Sequence, residues 1–381
     1  MTLTIQHRPT EAHIDLDALA FNFKSSRQFI GSEISYMAVV KADGYGHGAV
    51  ECARRLEQEG IDWFGVAIPE EGVALRNAEI KRPILCLGSI WHGQEHLIVK
   101  HDLTTVIYDE LTAIDLNRYA ADQGVVLSIH VKVDTGMGRV GFDFDQTEAF
   151  ANMLKGLQSL KVNGIMTHFA AADDPEHRVH TELQIERFNA VCEEFRRAGH
   201  DPEWFDLANS PGAIAYPSSH GNLVRLGGAL YGLIDDILPA SVPRPDLKPV
   251  LSLRSRIAHL RSVPEGVKLG YGRTFATKRP SIIALVPIGY ADGYCRGLSN
   301  KGSAVVNGHI VPIVGRISMD WTLLDVTDVS GVKTADSVFL IGGSGGQHVK
   351  ASDIARINDT IAYEITCGIS PRIPRVYSGT V

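Results

Sequence analysis

Short β-branched apolar runs alternate with longer amphipathic segments between about residues 34 and 232. The short runs have the length of buried strands, and the longer segments repeat their apolar residues with the period of a helix. We predict strands at 34–41, 63–68, 83–87, 104–108, 127–133, 162–168, 204–208 and 223–226. We predict helices between them at 49–60, 69–78, 94–101, 110–123, 147–160 and 180–199, after a leading helix at 17–30.

This alternation predicts a parallel sheet, because a helix between two strands returns the chain to the end of the sheet where it started. An open, doubly wound sheet would give the same alternation. Eight units within about 200 residues favour a closed (β/α)8 barrel of the TIM type. We therefore predict an α/β fold in which residues 1–245 form the barrel.

The pattern changes after Gly232. Residues 235–249 contain Pro239, Pro243, Pro245 and Pro249, which indicates a linker. Closely spaced alternating runs follow at 251–260, 281–288, 303–306, 309–314 and 321–326, and one clear helix is predicted at 352–363. Residues 246–381 are therefore predicted to form a second, mostly β domain.

The composition excludes several classes of protein. The chain has 37 Lys and Arg against 44 Asp and Glu, a net charge of −7, and no long basic run, so we expect no nucleic-acid partner. The longest apolar stretches, such as 282–288, are far shorter than the roughly 18 residues of a membrane span, and residues 1–15 do not resemble a signal peptide. Five scattered cysteines without a C-x-x-C pair fit a reduced, cytoplasmic protein. These counts leave a soluble enzyme or a binding protein.

The most informative segment is 39–48, where an apolar strand ends at Lys41 and runs into Gly44, Gly46 and Gly48. The carboxyl ends of barrel strands carry the active site, and a lysine amine there can form a Schiff base or act as a base. The alternative is a lysine that only extends its charge to solvent. The glycine spacing differs from the dinucleotide fingerprint and does not decide between these interpretations.

This segment is the first of seven separated motifs along the chain. They are VKADGYGHG (40–48), KVDTGMGR (132–139), HFA (168–170), ANS (208–210), GYGRT (270–274), GYADGY (289–294) and GRISMD (315–320). In this order they resemble the motifs of the alanine racemase family, whose members use pyridoxal phosphate. The resemblance covers nearly the whole chain. It implies interconversion of L- and D-alanine, which supplies D-alanine for bacterial peptidoglycan.

The resemblance assigns the chemistry to two bases. Lys41 would hold the cofactor as a Schiff base and transfer a proton on one face of the substrate, and Tyr271 would act on the opposite face. Racemisation needs both, because a single base tends to return the proton to the face it came from. A histidine matching His168 tunes the tyrosine in the family.

Arg225 matches the family arginine that faces the pyridine nitrogen of the cofactor. A guanidinium cannot accept a proton and disfavours a second positive charge beside it. We expect the ring to be a weak electron sink for this reason, which limits transamination and allows rapid reprotonation. Without the family, an arginine at a strand end is more often a structural ion-pair partner.

The remaining site residues are implied by the resemblance alone. Cofactor contacts are implied for Tyr45, Arg139, His168, Asn209, Ser210, Gly227, Gly228 and Tyr363. The substrate would be bound by Arg139, Met319 and Asp320, and its entry would be lined by Asp173, Tyr290, Arg316 and Ile361. Lys132 matches a position that is often carbamylated in the family, where the new charge would hold Arg139. We expect no metal ion at the site.

The chain departs from the family pattern in two places. Leu226 and Gly228 stand where the family usually has proline and isoleucine, which affects the region expected to bind phosphate. Pro371 stands where a tyrosine is common. Neither change affects the two bases or the pyridine-facing arginine.

Tyr271 lies in a different predicted domain from Lys41, and in the family it reaches the lysine of a partner subunit. The resemblance therefore implies a head-to-tail homodimer with composite active sites.

Three alternatives to an alanine-specific racemase remain open. A related racemase would act on serine or on several small amino acids. A decarboxylase of related fold would also use pyridoxal phosphate, but Arg225 disfavours it because that chemistry usually needs an acid at the pyridine nitrogen. A pyridoxal phosphate carrier built on the same barrel would lack the β domain and an equivalent of Tyr271.

Overall fold

The computed structural model describes residues Arg8–Gly379, so part of the segment for which no signal peptide is expected lies outside the described residues. The chain forms two compact units. One comprises 19–44 and 49–248, and the other comprises 45–48, the described residues up to Ala18 and those from Pro249 on. Among the described helices, none is both long enough and apolar enough to span a membrane.

The first unit contains eight parallel strands that follow one another around a barrel. They are Ser35–Val39, Trp63–Val66, Ile84–Cys86, Thr104–Ile107, Leu127–Asp134, Leu160–Met166, Trp204–Asp206 and Leu223–Leu226. The first seven pair in sequence order, and the eighth pairs with the first. The seventh and eighth strands meet through the Asn222 N–H, which donates to Phe205 O at 3.2 Å, and the Arg225 N–H, which donates to Ala208 O at 2.9 Å. The predicted (β/α)8 barrel and all eight of its strands are confirmed.

The seven helices predicted for the barrel unit are present, and Ser210–Ala215 is a further helix that the sequence pattern did not predict. The helices that precede or connect the barrel strands are Leu16–Ile30, Ala49–Gln58, Pro69–Asn77, Glu95–Lys100, Glu110–Asp122, Thr147–Lys155, Arg178–Arg197 and Ser210–Ala215. Pro69 stands at the start of its helix, where its missing N–H costs nothing. A two-residue strand, Phe142–Asp143, pairs with the fifth barrel strand, Leu127–Asp134.

Apolar side chains from six strands fill part of the barrel interior. They are Met37, Trp63, Leu85, Val106, Met166 and Leu223. Side chains two residues apart on a strand point to the same face, so Arg225 follows Leu223 into the interior and Asp206 follows Trp204. Both are almost fully buried, as is Lys132. The interior therefore changes from apolar to charged toward the carboxyl ends of the strands.

The second unit is mostly β, as predicted. Its strands are Glu11–Asp15, Leu251–Arg256, His259–Val263, Lys268–Leu269, Phe275–Ala276, Ser281–Val286, Ser303–Val306, His309–Pro312, Thr322–Asp325, Ser337–Ser344, Gln347–Val349 and Arg375–Ser378. Glu11–Asp15 lies between two partners, antiparallel to Leu251–Arg256 and parallel to Arg375–Ser378. The N-terminal strand of the chain thus completes the sheet of its C-terminal unit.

Two details of the second unit differ from the predictions. The run predicted as one strand at 251–260 forms two strands, Leu251–Arg256 and His259–Val263, which belong to different sheets. The single helix predicted at 352–363 is wrong, because helix Ala351–Asn358 ends at Asp359 and a second helix, Ala362–Cys367, follows. Asp359 has a φ of 55°, a left-handed conformation that ends a helix.

Candidate active site

Lys41 lies directly after the first barrel strand and begins a turn of unusual hand. Val40 still donates its N–H to Gly65 O at 2.9 Å, and the half-buried Lys41 follows. The next three residues, Ala42, Asp43 and Gly44, have φ values of 53°, 52° and 62°. Residues other than glycine rarely adopt this left-handed conformation, and each costs about 1–2 kcal/mol there.

Two carboxylates hold this left-handed turn. Oε1 of Glu71 accepts the Ala42 N–H at 2.7 Å, and Oδ1 of Asp43 accepts the Ala49 N–H at 2.9 Å. The other oxygen of Glu71 accepts the Ala67 N–H at 2.7 Å. A strained backbone persists only where its surroundings fix it, so these bonds set the direction in which the chain presents Lys41. Sequence reasoning did not identify Glu71, because it lies in a helix without a motif.

The carboxyl ends of the barrel strands gather a buried charged group. It consists of Lys132, His168, Asp206 and Arg225, with Lys41 and Arg139 close enough to influence Lys132 and His168 electrostatically. Burial lowers the pKa of the Lys132 amine to about 8, and the charges of Arg225 and Arg139 act in the same direction. Its Nζ lies 3.5 Å from Leu87 O. Lys132 therefore carries a neutral amine at mildly alkaline pH.

Arg225 uses both terminal nitrogens of its guanidinium to bind the barrel. Nη1 donates to the carboxylate of Asp206, forming a buried ion pair. Nη2 donates to Thr167 O, Leu207 O and His168 Nδ1, each at 3.1 Å. No described residue accepts a hydrogen bond from its Nε. The guanidinium is thus fixed in the plane that these partners define, with the Nε–H as its remaining donor.

The contact with Arg225 fixes the protonation state of His168. An arginine nitrogen can only donate, so Nδ1 of His168 is the acceptor, and the single ring proton of the neutral imidazole lies on Nε2. Burial lowers the pKa of His168, and the cations Arg225, Lys132, Arg139 and Lys41 lower it further. His168 is therefore a neutral hydrogen-bond donor through Nε2.

Asp134 organises the loop that carries Arg139. Its Oδ1 accepts the N–H groups of Gly136 and Met137 at 2.8 Å, and its Oδ2 accepts the Arg139 N–H at 3.0 Å. The Arg139 side chain is exposed, and its charge acts on Lys132. Asp134 lies inside the motif KVDTGMGR, but the role of its carboxylate depends on the loop geometry, which the sequence does not show.

The predicted phosphate-binding residues of the barrel lie around one short helix. Asn209 precedes helix Ser210–Ala215 and accepts the Gly212 N–H at 3.0 Å. Ser210 Oγ accepts the Gly227 N–H at 2.9 Å, which joins the predicted Ser210 and Gly227 directly. That N–H would have to exchange its partner before it could reach a ligand, whereas the Ser210 hydroxyl keeps its own proton to donate.

The second unit brings two predicted tyrosines together. The rings of Tyr45 and Tyr363 meet edge to face with their centroids 5.3 Å apart. Gly46 follows Tyr45 with a φ of 82°, and a Cβ there would lie 2.1 Å from Thr366 O. Only glycine fits, so the segment after the Lys41 turn is held against the chain that carries Tyr363.

Tyr271 is exposed on the second unit, with 72% of its surface accessible. It begins a short turn flanked by Gly270 and Gly272, which have φ values of 69° and 70°. Arg316 packs against this turn, since a Cβ on Gly272 would lie 2.9 Å from its Nη1. Tyr271 and the predicted entry residue Arg316 are therefore neighbours.

The other predicted residues of the second unit lie on adjoining loops. The Tyr290 N–H donates to Ser318 O and the Ala291 N–H to Met319 O, both at 3.0 Å. Oδ1 of Asp320 accepts from Arg372 at 2.7 Å, so its carboxylate is already paired. Met319, Tyr290 and Ile361 are exposed apolar side chains. In the barrel unit, the predicted entry residue Asp173 is exposed as well.

The charge of the barrel group indicates what it can bind. Four basic side chains contribute to this region: Lys132 and Arg225 are buried, Lys41 is half-buried and Arg139 is exposed. The buried group itself contains one carboxylate, that of Asp206. An excess of positive charge favours an anionic ligand. Together with an amine at a strand end, these features define a barrel enzyme whose site lies at the carboxyl ends of its strands.

The family follows from comparison with known proteins. Residues 14–235 match the alanine racemase N-terminal domain, and residues 250–377 match the alanine racemase C-terminal domain. The chain is 43% identical over 380 residues to alanine racemase from Halothermothrix orenii, covering 98% of each chain. It is 42% identical over 375 residues to that from Geobacter sulfurreducens, covering 97% of each. The chain belongs to the alanine racemase family, whose members are isomerases.

Solved structures agree with this assignment. Alanine racemase from Streptomyces lavendulae superposes with a TM-score of 0.91 at 34% identity, covering 99% of this chain and 98% of that one. Alanine racemase from Bartonella henselae, which has covalently bound pyridoxal phosphate, superposes with a TM-score of 0.86 at 30% identity, covering 97% and 99%. The predicted family and fold are confirmed.

Proposed function

We propose that this enzyme interconverts L- and D-alanine with pyridoxal phosphate and two bases, Lys41 and Tyr271, and that it supplies D-alanine for bacterial peptidoglycan. One observation carries the proposal: Lys41 ends a barrel strand beside the buried group in which Arg225 is fixed by His168 and Asp206. Family membership supports it, because Lys41, His168 and Arg225 lie in segments that resemble the family's motifs in the family's order.

The donor set fits pyridoxal phosphate. The amine of Lys41 would hold the aldehyde carbon, and the hydroxyl of Ser210 would contact the phosphate together with Tyr45 and Tyr363. The excess of cations over Asp206 suits a ligand with a phosphate and a ring hydroxyl. When bound, this cofactor withdraws electrons from the bond between the substrate Cα and its hydrogen.

The two bases would act on opposite faces of Cα. In one direction Nζ of Lys41 accepts the α-proton, and the hydroxyl of Tyr271 donates a proton to the other face. In the reverse direction the phenolate of Tyr271 accepts, and the protonated Lys41 donates. Each turnover inverts Cα and exchanges the protonation states of the two bases, which the reverse reaction or solvent restores.

His168 would support Tyr271 as a base. Its Nδ1 accepts from Arg225, so its Nε2–H is the group available to the tyrosine oxygen. A hydrogen-bond donor stabilises a phenolate, which favours the form that accepts a proton. Arg225 would act on the cofactor through its Nε–H and, lacking an acceptor lone pair, would leave the pyridine nitrogen unprotonated.

Lys132 would be carbamylated. Its neutral amine attacks carbon dioxide, forms an N–C bond and releases one proton, which converts the neutral amine into an anionic carbamate. Two facts support this modification: Lys132 is 6% exposed, and its pKa is lowered to about 8. The resulting carbamate would offset the charge of Arg139 and hold that side chain toward the substrate carboxylate.

The enzyme would work as a head-to-tail homodimer in cytoplasm. Tyr271 is exposed on its own unit, as expected for a side chain that enters the site of a partner subunit. Met319, through its backbone, and Asp320 would help bind the substrate carboxylate, and Asp173, Tyr290, Arg316 and Ile361 would line the entry. Exposed Tyr290, Met319 and Ile361 suit an apolar surface that a partner covers.

Reduction of the holoenzyme tests the proposal. The purified protein is loaded with pyridoxal phosphate, its visible absorption is recorded, and borohydride treatment is followed by peptide mapping. We expect the adduct on Lys41, and an adduct elsewhere would contradict the assignment. Chiral chromatography should then detect D-alanine formed from L-alanine.

Three further measurements separate the alternatives. Competition between alanine and serine distinguishes a broader racemase. Release of carbon dioxide from a basic amino acid would indicate a decarboxylase. Bound cofactor without exchange of the α-hydrogen in deuterated water would indicate a carrier.

A further inference from the structure

Asp206 is the only acidic side chain among the groups that influence Lys132 in the described barrel. It lies at the end of strand Trp204–Asp206, next to strand Leu223–Leu226, and it is fully buried. Its Oδ1 accepts from Nη1 of Arg225, and its Oδ2 has no hydrogen-bond partner among the described residues. Asp206 lies outside the motifs found in the sequence. Its carboxylate is paired with the guanidinium of Arg225, the side chain that would contact the cofactor ring in the proposed function.

The geometry gives Asp206 a task that backbone carbonyls cannot perform. Thr167 O and Leu207 O accept from Nη2 of Arg225, but a carbonyl carries no net charge. A guanidinium buried without a counter-ion is strongly destabilising. The Asp206 carboxylate offsets that charge and fixes the guanidinium from the Nη1 side, while His168 and the carbonyls fix it from the Nη2 side. Holding both terminal nitrogens determines the direction of the Nε–H.

We propose that Asp206 is a positioning residue, which acts through Arg225 to orient its Nε–H and to offset its charge beside the cofactor ring. This inference rests on the proposed function. The ring nitrogen then meets a hydrogen-bond donor that belongs to a nearly neutral ion pair rather than an isolated cation. Asp206 thereby sets how strongly the site disfavours positive charge on the cofactor and on the Lys41 nitrogen.

The variant Asp206→Asn tests whether the Asp206 carboxylate offsets the charge of Arg225. Asparagine keeps the size and an acceptor oxygen for Nη1 but removes the negative charge, so the site becomes more positive. We expect the pH titration of the visible absorption band of the holoenzyme to shift downward by about one pKa unit, because nearby positive charge disfavours protonation. Glu59→Gln is the matched control, since it removes the carboxylate of the Glu59–Arg55 ion pair elsewhere in the barrel unit. Its titration should coincide with that of the wild type.

The double variant Arg225→Gln/Asp206→Asn tests the pairing without cofactor. Each single variant leaves one buried charge without its counter-ion, whereas the double variant has an amide pair. We expect the apoprotein melting temperature to fall in both single variants and to recover most of that loss in the double variant. If Asp206→Asn alone does not fold, a folded double variant still shows that the two side chains stabilise each other as a pair.

The outcomes separate the two proposals. A wild-type enzyme that shows no visible band and no adduct on Lys41 would overturn the proposed function and this inference together. A normal wild-type band with an unchanged titration in Asp206→Asn would overturn the role of Asp206 alone. Additive losses of melting temperature in the double variant would do the same.

Discussion

Arg225 donates a hydrogen bond through Nη2 to Nδ1 of His168 over 3.1 Å, which leaves the imidazole proton on Nε2. This one contact determines the roles of both ring nitrogens of His168, because a guanidinium cannot accept a hydrogen bond. Nδ1 is an acceptor, and Nε2 is a donor. In the proposed function this ring would link Arg225, which would face the pyridine nitrogen of the cofactor, with Tyr271, the proposed second base. We therefore expect a substitution of Arg225 to affect Tyr271, and a substitution of Tyr271 to affect Arg225.

The substitution His168→Phe should lower activity without unfolding the barrel. Phenylalanine fills the space but removes the acceptor for Arg225 and the proposed donor for Tyr271. Loss of a hydrogen bond to a charged group costs about 1.5–3 kcal/mol, so we expect kcat/KM for alanine to fall roughly 10- to 100-fold. The measurement is the initial rate of D-alanine formation. His200→Phe is the control, because His200 is bonded to Ala151 O at 2.8 Å outside the charged group; equal losses in both variants would contradict the assignment.

The buried Lys132 amine should make stability depend on pH in a specific window. Its pKa is about 8 in the folded protein and 10.5 ordinarily, so between these values the unfolded chain binds more protons. The free energy of unfolding therefore rises with pH across the window, by about 3 kcal/mol. Urea unfolding of the wild type and Lys132→Met in carbonate-free buffer measures this. Parallel curves for the two proteins between pH 7.5 and 10.5 would show that Lys132 titrates normally.

Two glycines with similar backbone angles should respond differently to alanine. Gly46 and Gly60 have φ values of 82° and 85°, but a Cβ on Gly46 would lie 2.1 Å from Thr366 O, whereas a Cβ on Gly60 would meet nothing within 4 Å. Gly60→Ala should cost about 1–2 kcal/mol from the left-handed backbone alone. Gly46→Ala adds overpacking of about 1–3 kcal/mol. Thermal unfolding measures both, and equal losses would mean that the Gly46 segment yields to the added methyl group.

Subunit complementation tests the composite site. Lys41→Ala and Tyr271→Phe are each expected to lack racemase activity. If Tyr271 acts in the partner's site, a hybrid dimer of the two contains one intact site, and a statistical mixture recovers about a quarter of wild-type activity. The mixture is prepared by unfolding and refolding the two variants together. Recovery no greater than that of either variant refolded alone would place both bases in the same subunit.

Most of the barrel could be predicted from the sequence, but few of the residues that hold the site residues in place could be. Strand 223–226 was predicted to the residue because a short, mostly apolar run lies between the turn residues Gly221 and Asn222 on one side and Gly227 and Gly228 on the other. The break between the two C-terminal helices was missed, since the left-handed residue is Asp359 rather than a glycine. Motifs that resemble those of the family predicted Lys41 and Arg225 as site residues, and these assignments stay predictions. Glu71 and Asp206 were not found, because they bind protein groups that only the fold brings near them.

The N-terminal strand and residues 45–48 both belong to the C-terminal unit, which has a consequence for recombination between relatives. Strand Glu11–Asp15 is hydrogen-bonded on both sides within that unit, and Arg375 donates to Gly46 O at 3.1 Å. A chimera that exchanges only the chain after Pro249 would therefore replace the partners of both segments. Three stretches of sequence must be inherited together, so a single crossover point cannot divide this enzyme into interchangeable parts.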